Sequence, residues 1–586
     1  MAGYTPPIDD MRFVLHHVAG LGEIGQLPGC EAATPDLVDD VLEAAGKFAS
    51  NALAPLNHTG DRQPARLENG VVRTADGFKE AYGAFVEGGW NGLPFPEQWG
   101  GQGLPWTVAT AVCEMWHSAN MSFGLCPILT QAAVELLLGF GTDAQKERYL
   151  PKLVSGEWTG TMCLTEPHAG TDVGALKTRA EREGDHYRIR GTKIFNTFGD
   201  HDYTDNIIHM VLARLPDAPA GTRGISLFLV PKFLVNEDGS LGARNDLRCV
   251  SLEHKLGIHA APTCVMSFGD NEGAVGYLVG EEQGGMRAMF TMMNLARLQV
   301  GLEGLSIAER AYQGALAYAA DRVQGVRPNG GAPRPATIIE HPDVRRTLLS
   351  SKVRIEAMRA LVYSAAAAAD HATRAPDAEV RRRAGQRLDL MIPLVKAWCS
   401  DLGFEIASES LQVHGGMGYI EETGAAQHVR DARINMIYEG TNGVQALDLV
   451  GRKLAVAEGK LPWDLFEEFE ADLGRLEDSG HGALASSLRT GLDTLKQATT
   501  WLQQDHADHD DAAAGATPYL RLFAATVGGF LLARSAMAAQ SDTPDMAQDK
   551  LEGAVFFASQ LLSPAVALLP AITAGSAPLR QALEAG

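Results

Sequence analysis

The sequence predicts an α+β protein in which a central β domain lies between helical regions. Apolar residues recur at helical spacing on both sides of a segment of short, β-branched strands. The period changes near Gly160 and again near Gly284, and 586 residues exceed what one hydrophobic core serves. The predicted divisions are an N-terminal extension (1–34), a helical domain (35–160), a β domain (161–283), a helical bundle (284–455) and an additional helical region (456–586).

The first helical domain shows both apolar periodicity and helix-ending signals. "DLVDDVLEAAGKFASNAL" places Leu37, Val41 and Phe48 on one helical face. "TQAAVELLLGFGTDAQKERYLPKLVSGEW" indicates a helix, a glycine stop and a second helix with an acidic start. "GLPFPEQWGGQGLPW" between them is rich in Gly and Pro and predicts a loop.

The central segment carries strand signals instead. "HYRIRGTKIFNTF", "NIIHMVLARL", "GISLFLVPKFLV" and "APTCVMSFGD" are short, rich in β-branched and aromatic residues, and bounded by Gly, Asp or Pro. A compact β domain inserted between helical regions is the simplest account of this pattern.

The helical period returns after Gly284. "AMFTMMNLARLQVGLEGLSIAERAYQGALAYAADRVQ" predicts one long helix, and two further long patterns follow a Pro/Gly loop. Such lengths and alternation predict antiparallel helices in a bundle. Beyond Lys453 the pattern stays helical, with "QQDHADHDDAAAGATP" as an expected loop.

Charge and composition narrow the class of partner. The net charge of −22 argues against a general nucleic-acid surface, and 45% hydrophobic residues describe a globular protein. The cysteines are scattered without a CxxC pair, a set that a reducing cytoplasm permits and that predicts no zinc site. The amino-terminal sequence lacks the basic and apolar order of a secretory signal. We therefore expect a cytoplasmic protein without a metal.

One weakly polar run raises the question of a membrane span. "AVFFASQLLSPAVALLPAITAG" at 554–575 is long enough, but it contains two prolines, a glutamine and two serines. We interpret it as a buried helix with a bend, and we expect no stable membrane insertion.

Two glycine-containing motifs could contact a ligand. "MCLTEPHAGTD" offers backbone N–H groups and hydroxyls without bulky side chains, which suits a flat polar ligand or a phosphate, although this motif taken alone favours a simple turn. "LQVHGGMGY" indicates a turn that another backbone could approach closely. Because no G-x-G-x-x-G follows a strand, a cofactor would not be held in the Rossmann manner.

Glu439 in "MIYEGTNGVQ" is the candidate base. Val429, Ala432 and Met436 mark one helical face and Gly440 is a natural stop, so Glu439 is expected at the C-terminal end of a helix. The partial negative charge there, together with shielding from water, would raise the pKa of its carboxyl towards that of a proton-abstracting base. An exposed terminal glutamate is the alternative that local sequence leaves open.

Taken in order, these motifs resemble the acyl-CoA dehydrogenase family over residues 35–455. "CLTEPHAGTD", "KLGIHAAPT" and "QVHGGMGY" followed by "RDARINMIYEGTNGVQ" carry the resemblance. The additional helical region resembles a larger branch of the family. The resemblance implies noncovalent FAD and oxidation of an acyl-CoA thioester to the trans-2-enoyl-CoA, with Glu439 removing the α-proton and the β-hydride passing to flavin N5. Short acyl groups, including thioether-bearing ones, are favoured.

The resemblance also assigns site residues position by position. It implies that FAD is contacted by Met162, Leu164, Thr165, Phe195, Thr197, Arg322, Gln412, Gly415, Gly416 and Thr441. It implies that the substrate is contacted by Thr171, Asn294, Arg297 and Gly440. Phe195 stands where Trp is common, and Asn294 where Asp is usual. Gln412, Gly415 and Gly416 match residues that reach the FAD of a neighbouring subunit, so a homodimer or higher homo-oligomer is expected.

Two other functions stay open. An acyl-CoA oxidase would use oxygen in place of the expected acceptor, electron-transfer flavoprotein. A non-catalytic CoA-binding scaffold would keep the fold without the reaction, and the presence of Glu439 argues against it.

Overall fold

The computed structural model describes residues 3–326, 334–504, 509–539 and 544–579. The chain forms two compact units. The helical unit contains Met1–Gly46, Pro105–Ser118 and Arg297–Gly586, and the sheet unit contains Lys47–Leu104 and Ala119–Ala296.

Helices make up most of the described chain. The α-helices are α1 (Ile8–His17), α2 (Leu21–Ile24), α3 (Pro35–Phe48), α4 (Ala54–Arg62), α5 (Phe78–Glu87), α6 (Trp106–Ala119), α7 (Met121–Phe140), α8 (Asp143–Ser155), α9 (Gly285–Asp321), α10 (Pro342–Arg374), α11 (Ala378–Val413), α12 (Ala425–Ala432), α13 (Asn442–Gly451), α14 (Leu461–Asp478), α15 (Gly482–Gln503), α16 (His509–Ala538), α17 (Pro544–Phe556), α18 (Leu562–Val566) and α19 (Leu569–Thr573).

Most strands lie in the predicted β segment. They are β1 (Arg66–Glu68), β2 (Val71–Arg73), β3 (Thr159–Cys163), β4 (Arg179–Glu183), β5 (His186–Thr197), β6 (Ile207–Arg214), β7 (Ile225–Pro231), β8 (Phe233–Val235), β9 (Leu241–Arg244), β10 (Leu247–Leu252), β11 (Thr263–Phe268), β12 (Ala274–Val279), β13 (Val323–Val326) and β14 (Pro335–Thr337).

The sheet unit is built on an eight-stranded sheet. Its order is β10–β11–β5–β12–β7–β6–β3, and β4 pairs with both β5 and β6. All neighbours are antiparallel except β3 with β6 and the single β4–β6 pair. Because β4 joins β5 to β6, the strands β4, β5, β12, β7 and β6 close into a ring, while β10 and β3 lie at the two ends of the strand order. The interior is filled by apolar side chains such as Ile189, Val211 and Phe228.

The bundle of the helical unit depends on close contacts between α9 and α11. A Cβ on Gly304 would lie 2.3 Å from the Cys399 carbonyl oxygen, and one on Gly403 would lie 2.5 Å from the Gly304 carbonyl oxygen. Since no real Cβ tolerates such distances, only glycine permits the two backbones to approach here. The long helix predicted over 288–324 is thus confirmed as α9, and its glycines act as contact points.

The predicted α+β class is confirmed, but two segment interpretations are wrong. The polar stretch expected as a loop at 503–518 is helical from His509, where α16 begins, while 505–508 fall outside the described residues. Alanine has the highest helix propensity, and "AAAGA" continues the helix into the buried Tyr519 and Leu520.

The second difference concerns apolar helices. Among the described residues, three helical segments are long and apolar enough to cross a membrane: Met121–Phe140, His509–Ala538 and Pro544–Thr573. The most apolar windows of the first two are 78% and 83% buried, whereas that of the third is only 28% buried. The run at 554–575 is largely helical, with a π-helical turn at Phe557–Leu561, but it is not the buried helix that we expected.

Candidate active site

Glu439 lies in a tight turn between two helices. The helix α12 ends at Ala432 and one 3-10 turn continues it to Met436. Glu439 then has φ +55° and Gly440 has φ +80°. Thr441 caps α13, its hydroxyl oxygen accepting a hydrogen bond from the Val444 N–H at 3.2 Å. The expected position of Glu439 at a helix C-terminus is therefore wrong, and the helix dipole does not explain its pKa.

Two side chains hold the backbone of Glu439. Its carbonyl oxygen accepts from Gln445 Nε2 at 3.2 Å and from Arg297 Nε at 3.4 Å. A left-handed backbone conformation is unfavourable for a non-glycine residue and persists where the surroundings impose it. Arg297 on α9 and Gln445 on α13 supply that constraint.

Burial and two cations set the pKa of Glu439 in opposite directions. The side chain is half-buried, and loss of water raises the pKa of its carboxyl above the usual value. The positive charges of Arg297 and Lys396 act against this rise. Lys396 is fully buried on α11, which lowers the pKa of its ammonium to about 8, and its Nζ donates to Asn442 Oδ1 at 2.9 Å.

Sequence reasoning missed the buried groups around this turn. Lys396, Glu303 and Gln445 come from three helices, and Tyr438 contacts Glu303 through its hydroxyl. One signal for Glu303 was available in the sequence. It is a charged residue between Gly301 and Gly304, which lie where α9 contacts α11, and a charge at such a buried contact needs a partner. That signal does not predict which residues contact Glu303, because they are distant from it in sequence.

In the sheet unit the loop after β3 meets the end of β5. The Thr165 carbonyl oxygen accepts from the Ile194 N–H at 2.9 Å, and Lys193 Nζ donates to the Leu164 carbonyl at 2.8 Å. The Lys193 ammonium also pairs with Glu166 at 2.9 Å inside the protein. These bonds bring Thr165 beside Phe195.

Phe195 is an aromatic residue with unusual geometry. Its backbone has φ +58°, and 59% of the residue is exposed although it belongs to β5. The predicted neighbours Met162, Leu164 and Thr197 are half-buried. An exposed ring beside a hydroxyl and a loop backbone matches what a flat aromatic cofactor requires.

The remaining predicted contacts are divided between the two units. Thr171 is exposed in a loop of the sheet unit, and the half-buried Asn294 lies on α9 in the same unit. Arg297, one turn later, is 7% exposed and belongs to the helical unit with Glu439 and Gly440. Burial lowers the pKa of the Arg297 guanidinium, and the Glu439 carboxylate opposes this.

The second glycine motif borders a cleft in the helical unit. Gln412, Gly415 and Gly416 are exposed where α11 ends, and a Cβ on either glycine would meet no atom within 4 Å. The adjacent cleft has a volume of about 380 Å³. Its lining includes Tyr318, Ser410, His414, Met417, Thr423 and His428.

Two further predicted FAD contacts lie on the surface of the helical unit. Arg322 is exposed directly after the end of α9, and the N-cap residue Thr441 is exposed as well. Tyr318 and His414 form a ring pair at 4.6 Å inside the nearby cleft.

Family models match almost the whole chain. They are the acyl-CoA dehydrogenase N-terminal domain at 38–157, the middle domain at 161–271, the C-terminal domain at 283–454 and an acetyl-CoA dehydrogenase C-terminal-like domain at 465–582. The chain is 45% identical over 574 residues to 3-methylmercaptopropionyl-CoA dehydrogenase of Ruegeria pomeroyi, covering 95% of this chain and 96% of the relative. The chain belongs to the acyl-CoA dehydrogenase family.

Two further comparisons agree with this membership. A broad-specificity linear acyl-CoA dehydrogenase of Mycobacterium tuberculosis is 33% identical over 593 residues, with 96% of each chain covered. The structure of Caenorhabditis elegans ACDH-11 in complex with C11-CoA shares the fold, with a TM-score of 0.77, 21% identity, and coverage of 96% of this chain and 92% of that one. Members of this family are FAD-dependent oxidoreductases that act on acyl-CoA thioesters, and this chain is one of them.

Proposed function

We propose that the protein oxidises a short-chain acyl-CoA to the trans-2-enoyl-CoA, with Glu439 as the base. One observation carries the proposal. Burial raises the pKa of the Glu439 carboxyl, and Arg297 and Gln445 hold the Glu439 backbone in a left-handed turn. A base whose pKa lies nearer the working pH than that of a free carboxylate is suited to proton abstraction.

The reaction breaks two C–H bonds of the substrate. Glu439 takes the α-proton, the electron pair of that bond forms the new C=C bond, and the β-hydrogen leaves as hydride. FAD, when bound, supplies the acceptor for that hydride. Burial raises the pKa of the Glu439 carboxyl, and the cations Arg297 and Lys396 oppose this rise by favouring its ionised form. The family resemblance adds a contact from the Glu439 N–H to the thioester carbonyl, which would stabilise the developing negative charge.

Residues in both units suit FAD. In the sheet unit, the exposed ring of Phe195 beside Thr165 and Thr197 fits an aromatic ring system. In the helical unit, the backbone of Gly415 and Gly416, next to Gln412 and the cleft, is accessible to a ligand because these glycines carry no side chain. Met162, Leu164, Arg322 and Thr441 complete the set proposed to hold FAD, while Thr171, Asn294, Arg297 and Gly440 are proposed to contact the substrate.

The name of the relative from Ruegeria pomeroyi favours a short, thioether-bearing substrate such as 3-(methylthio)propanoyl-CoA. We also propose electron-transfer flavoprotein as the electron acceptor, a homodimer as the complete enzyme, and a cytoplasmic location. All seven cysteines are free and buried, and a reducing compartment such as the cytoplasm permits this.

The test is anaerobic reduction of the FAD-loaded protein by acyl-CoA thioesters of increasing length, including 3-(methylthio)propanoyl-CoA. The proposal expects the flavin absorbance to bleach fastest with short acyl groups. Lack of bleaching by every thioester would overturn it. Hydrogen peroxide formed stoichiometrically in air during turnover would instead identify an oxidase.

A further inference from the structure

A second carboxyl lies behind the active-site turn. Glu303 on α9 is 0% exposed, and its Oε2 contacts the hydroxyl of Tyr438, the residue before Glu439. Its other oxygen, Oε1, has no hydrogen-bond partner among the described residues. Gln299, one turn earlier on α9, is 1% exposed and also lacks side-chain partners within the described chain. This environment does not suit a carboxylate, because a buried charge needs several donors.

The hydrogen bonds of Tyr438 favour a protonated Glu303. The Tyr438 hydroxyl lies beside Glu303 Oε2 and 3.2 Å from Asn435 Oδ1, yet it has one proton for two acceptors. If Glu303 carries a proton, it donates to Tyr438, and Tyr438 donates to Asn435. Turning the Asn435 amide over would let its Nδ2 donate to the Tyr438 hydroxyl oxygen and would satisfy the proton count, but Glu303 would remain a buried carboxylate with a single donor.

Charges around Glu303 agree with this assignment. The pKa of Glu303 is raised to about 8, mainly by burial and further by the nearby Glu439 carboxylate. The hydrogen bond from Tyr438 and the positive charge of Lys396 act in the opposite direction. Lys396 faces the site from α11, and Tyr438 and Glu439 face it from the turn. With Glu303 neutral, Glu439 is the carboxylate that balances Lys396 and Arg297.

Glu303 acts on Glu439 through Tyr438, the residue that precedes Glu439 in the chain. The side chain of Tyr438 is anchored to α9 by Glu303, while the carbonyl of Glu439 is anchored by Arg297 and Gln445. Glu439 therefore sits between two anchored points in a conformation with φ +55°. Removing either anchor would allow this backbone to relax.

We propose that Glu303 is a positioning residue whose protonated carboxyl holds Tyr438 and thereby fixes the orientation of the base Glu439. The proposal rests on the proposed function for its effect on the reaction. Ionisation of Glu303 at alkaline pH would remove the donor to Tyr438 and place a second negative charge near Glu439. Flavin reduction should then slow on the alkaline side, over the pH range in which Lys396 also loses its proton.

Three variants of the full-length, FAD-loaded protein test this role. Glu303→Gln keeps a neutral donor of the same shape, Glu303→Leu removes the hydrogen bond, and Tyr438→Phe removes the hydroxyl. Glu467→Gln, at an exposed position of α14, is the control. Anaerobic flavin reduction by butanoyl-CoA is followed across pH, and hydrogen–deuterium exchange is measured for the peptide spanning 434–445.

We expect Glu303→Gln to stay close to the wild-type rate at neutral pH and to lose part of the alkaline decline. Glu303→Leu and Tyr438→Phe should slow reduction by about 10- to 100-fold, the cost of a displaced catalytic group. Their 434–445 peptides should exchange faster, whereas those of the Gln variant and the control should not.

A Leu variant with the wild-type rate, pH profile and exchange would overturn the proposal, as would a Gln variant as slow as the Leu variant. Infrared spectroscopy adds a test without substrate, since the difference spectrum between wild type and Glu303→Gln must contain the C=O band of a protonated carboxyl. If the wild type reduces no flavin with any acyl-CoA, the proposed function fails. The exchange data and the infrared band then still decide whether a protonated Glu303 holds this turn.

Discussion

Arg359 Nη2 lies 2.6 Å from Glu114 Oε1, and these side chains are only 2% and 0% exposed. The same nitrogen lies 2.8 Å from Glu309 Oε2, and Arg359 also pairs with Asp10 near the amino terminus. Asp10 in turn pairs with Lys550 near the carboxyl terminus. The cluster therefore joins α1, α6, α9, α10 and α17 within the helical unit.

Loss of Arg359 should destabilise the helical unit strongly. Arg359→Met leaves the carboxylates of Glu114 and Glu309 buried without their main counter-charge, which costs about 3–5 kcal/mol. Thermal unfolding followed by circular dichroism measures the loss. Arg382→Met, which breaks the exposed pair with Glu379, should change stability by less than about 1 kcal/mol. Equal losses in the two variants would contradict the importance of burial.

Glu439→Gln should lose flavin reduction while it keeps FAD and ligand binding. The amide has the shape of the carboxylate but accepts no α-proton, and removing a general base costs about 10²–10⁴-fold in rate. Stopped-flow anaerobic reduction measures the rate, and the retained flavin spectrum shows that the site is intact. The matched control is Glu467→Gln on α14. A Glu439→Gln variant as fast as the control would refute the assignment of the base.

The rate of flavin reduction should rise with pH through the pKa of Glu439. The base must be ionised to accept a proton, and burial raises its pKa, so activity is lost as pH falls through that raised value. Lys396→Met removes a cation that opposes this rise, and the acid limb should move to higher pH by about one unit. The exposed Lys79→Met serves as control. An unmoved limb would mean that Lys396 does not act on the base.

Phe195→Ala should reduce FAD affinity without unfolding the sheet unit. Because the residue is 59% exposed, truncating it should cost less than about 1 kcal/mol. Isothermal titration of the apoprotein with FAD measures the affinity. Phe228→Ala, at a fully buried position of β7, should instead cost about 3–5 kcal/mol. Unchanged FAD affinity in Phe195→Ala would exclude contact of this ring with the cofactor.

Tyr419→Asp should weaken the proposed homodimer. Tyr419 is 84% exposed, and its neighbours Met417 and Ile420 are 48% and 44% exposed, so the turn after α11 presents apolar side chains at the surface of the chain. Light scattering after size exclusion should give a dimer for the wild type and smaller species for the variant. Glu421→Gln on the adjacent 3-10 turn is the control. A wild-type monomer would contradict the homodimer itself.

Much of the fold could be predicted because its signals are local. The strands β5, β6, β7 and β11 follow from short β-branched runs, and α9 follows from sustained apolar periodicity. The helix expected to reach Glu439 ends in a 3-10 turn at Met436, and Thr441 begins the next helix by capping α13. The polar run before Pro518 becomes helical because it leads directly into buried residues of α16. In both places neighbouring structure outweighed the local pattern.

The sequence by itself determined the α+β class, the family and the identity of Glu439 as a candidate base. Only the tertiary structure decided what surrounds that base. Lys396 and Glu303 lie 43 and 136 residues before Glu439 in the chain, and folding brings them to the same turn. The pKa of a carboxyl depends on loss of water and on nearby charges, and both arise from residues distant in sequence.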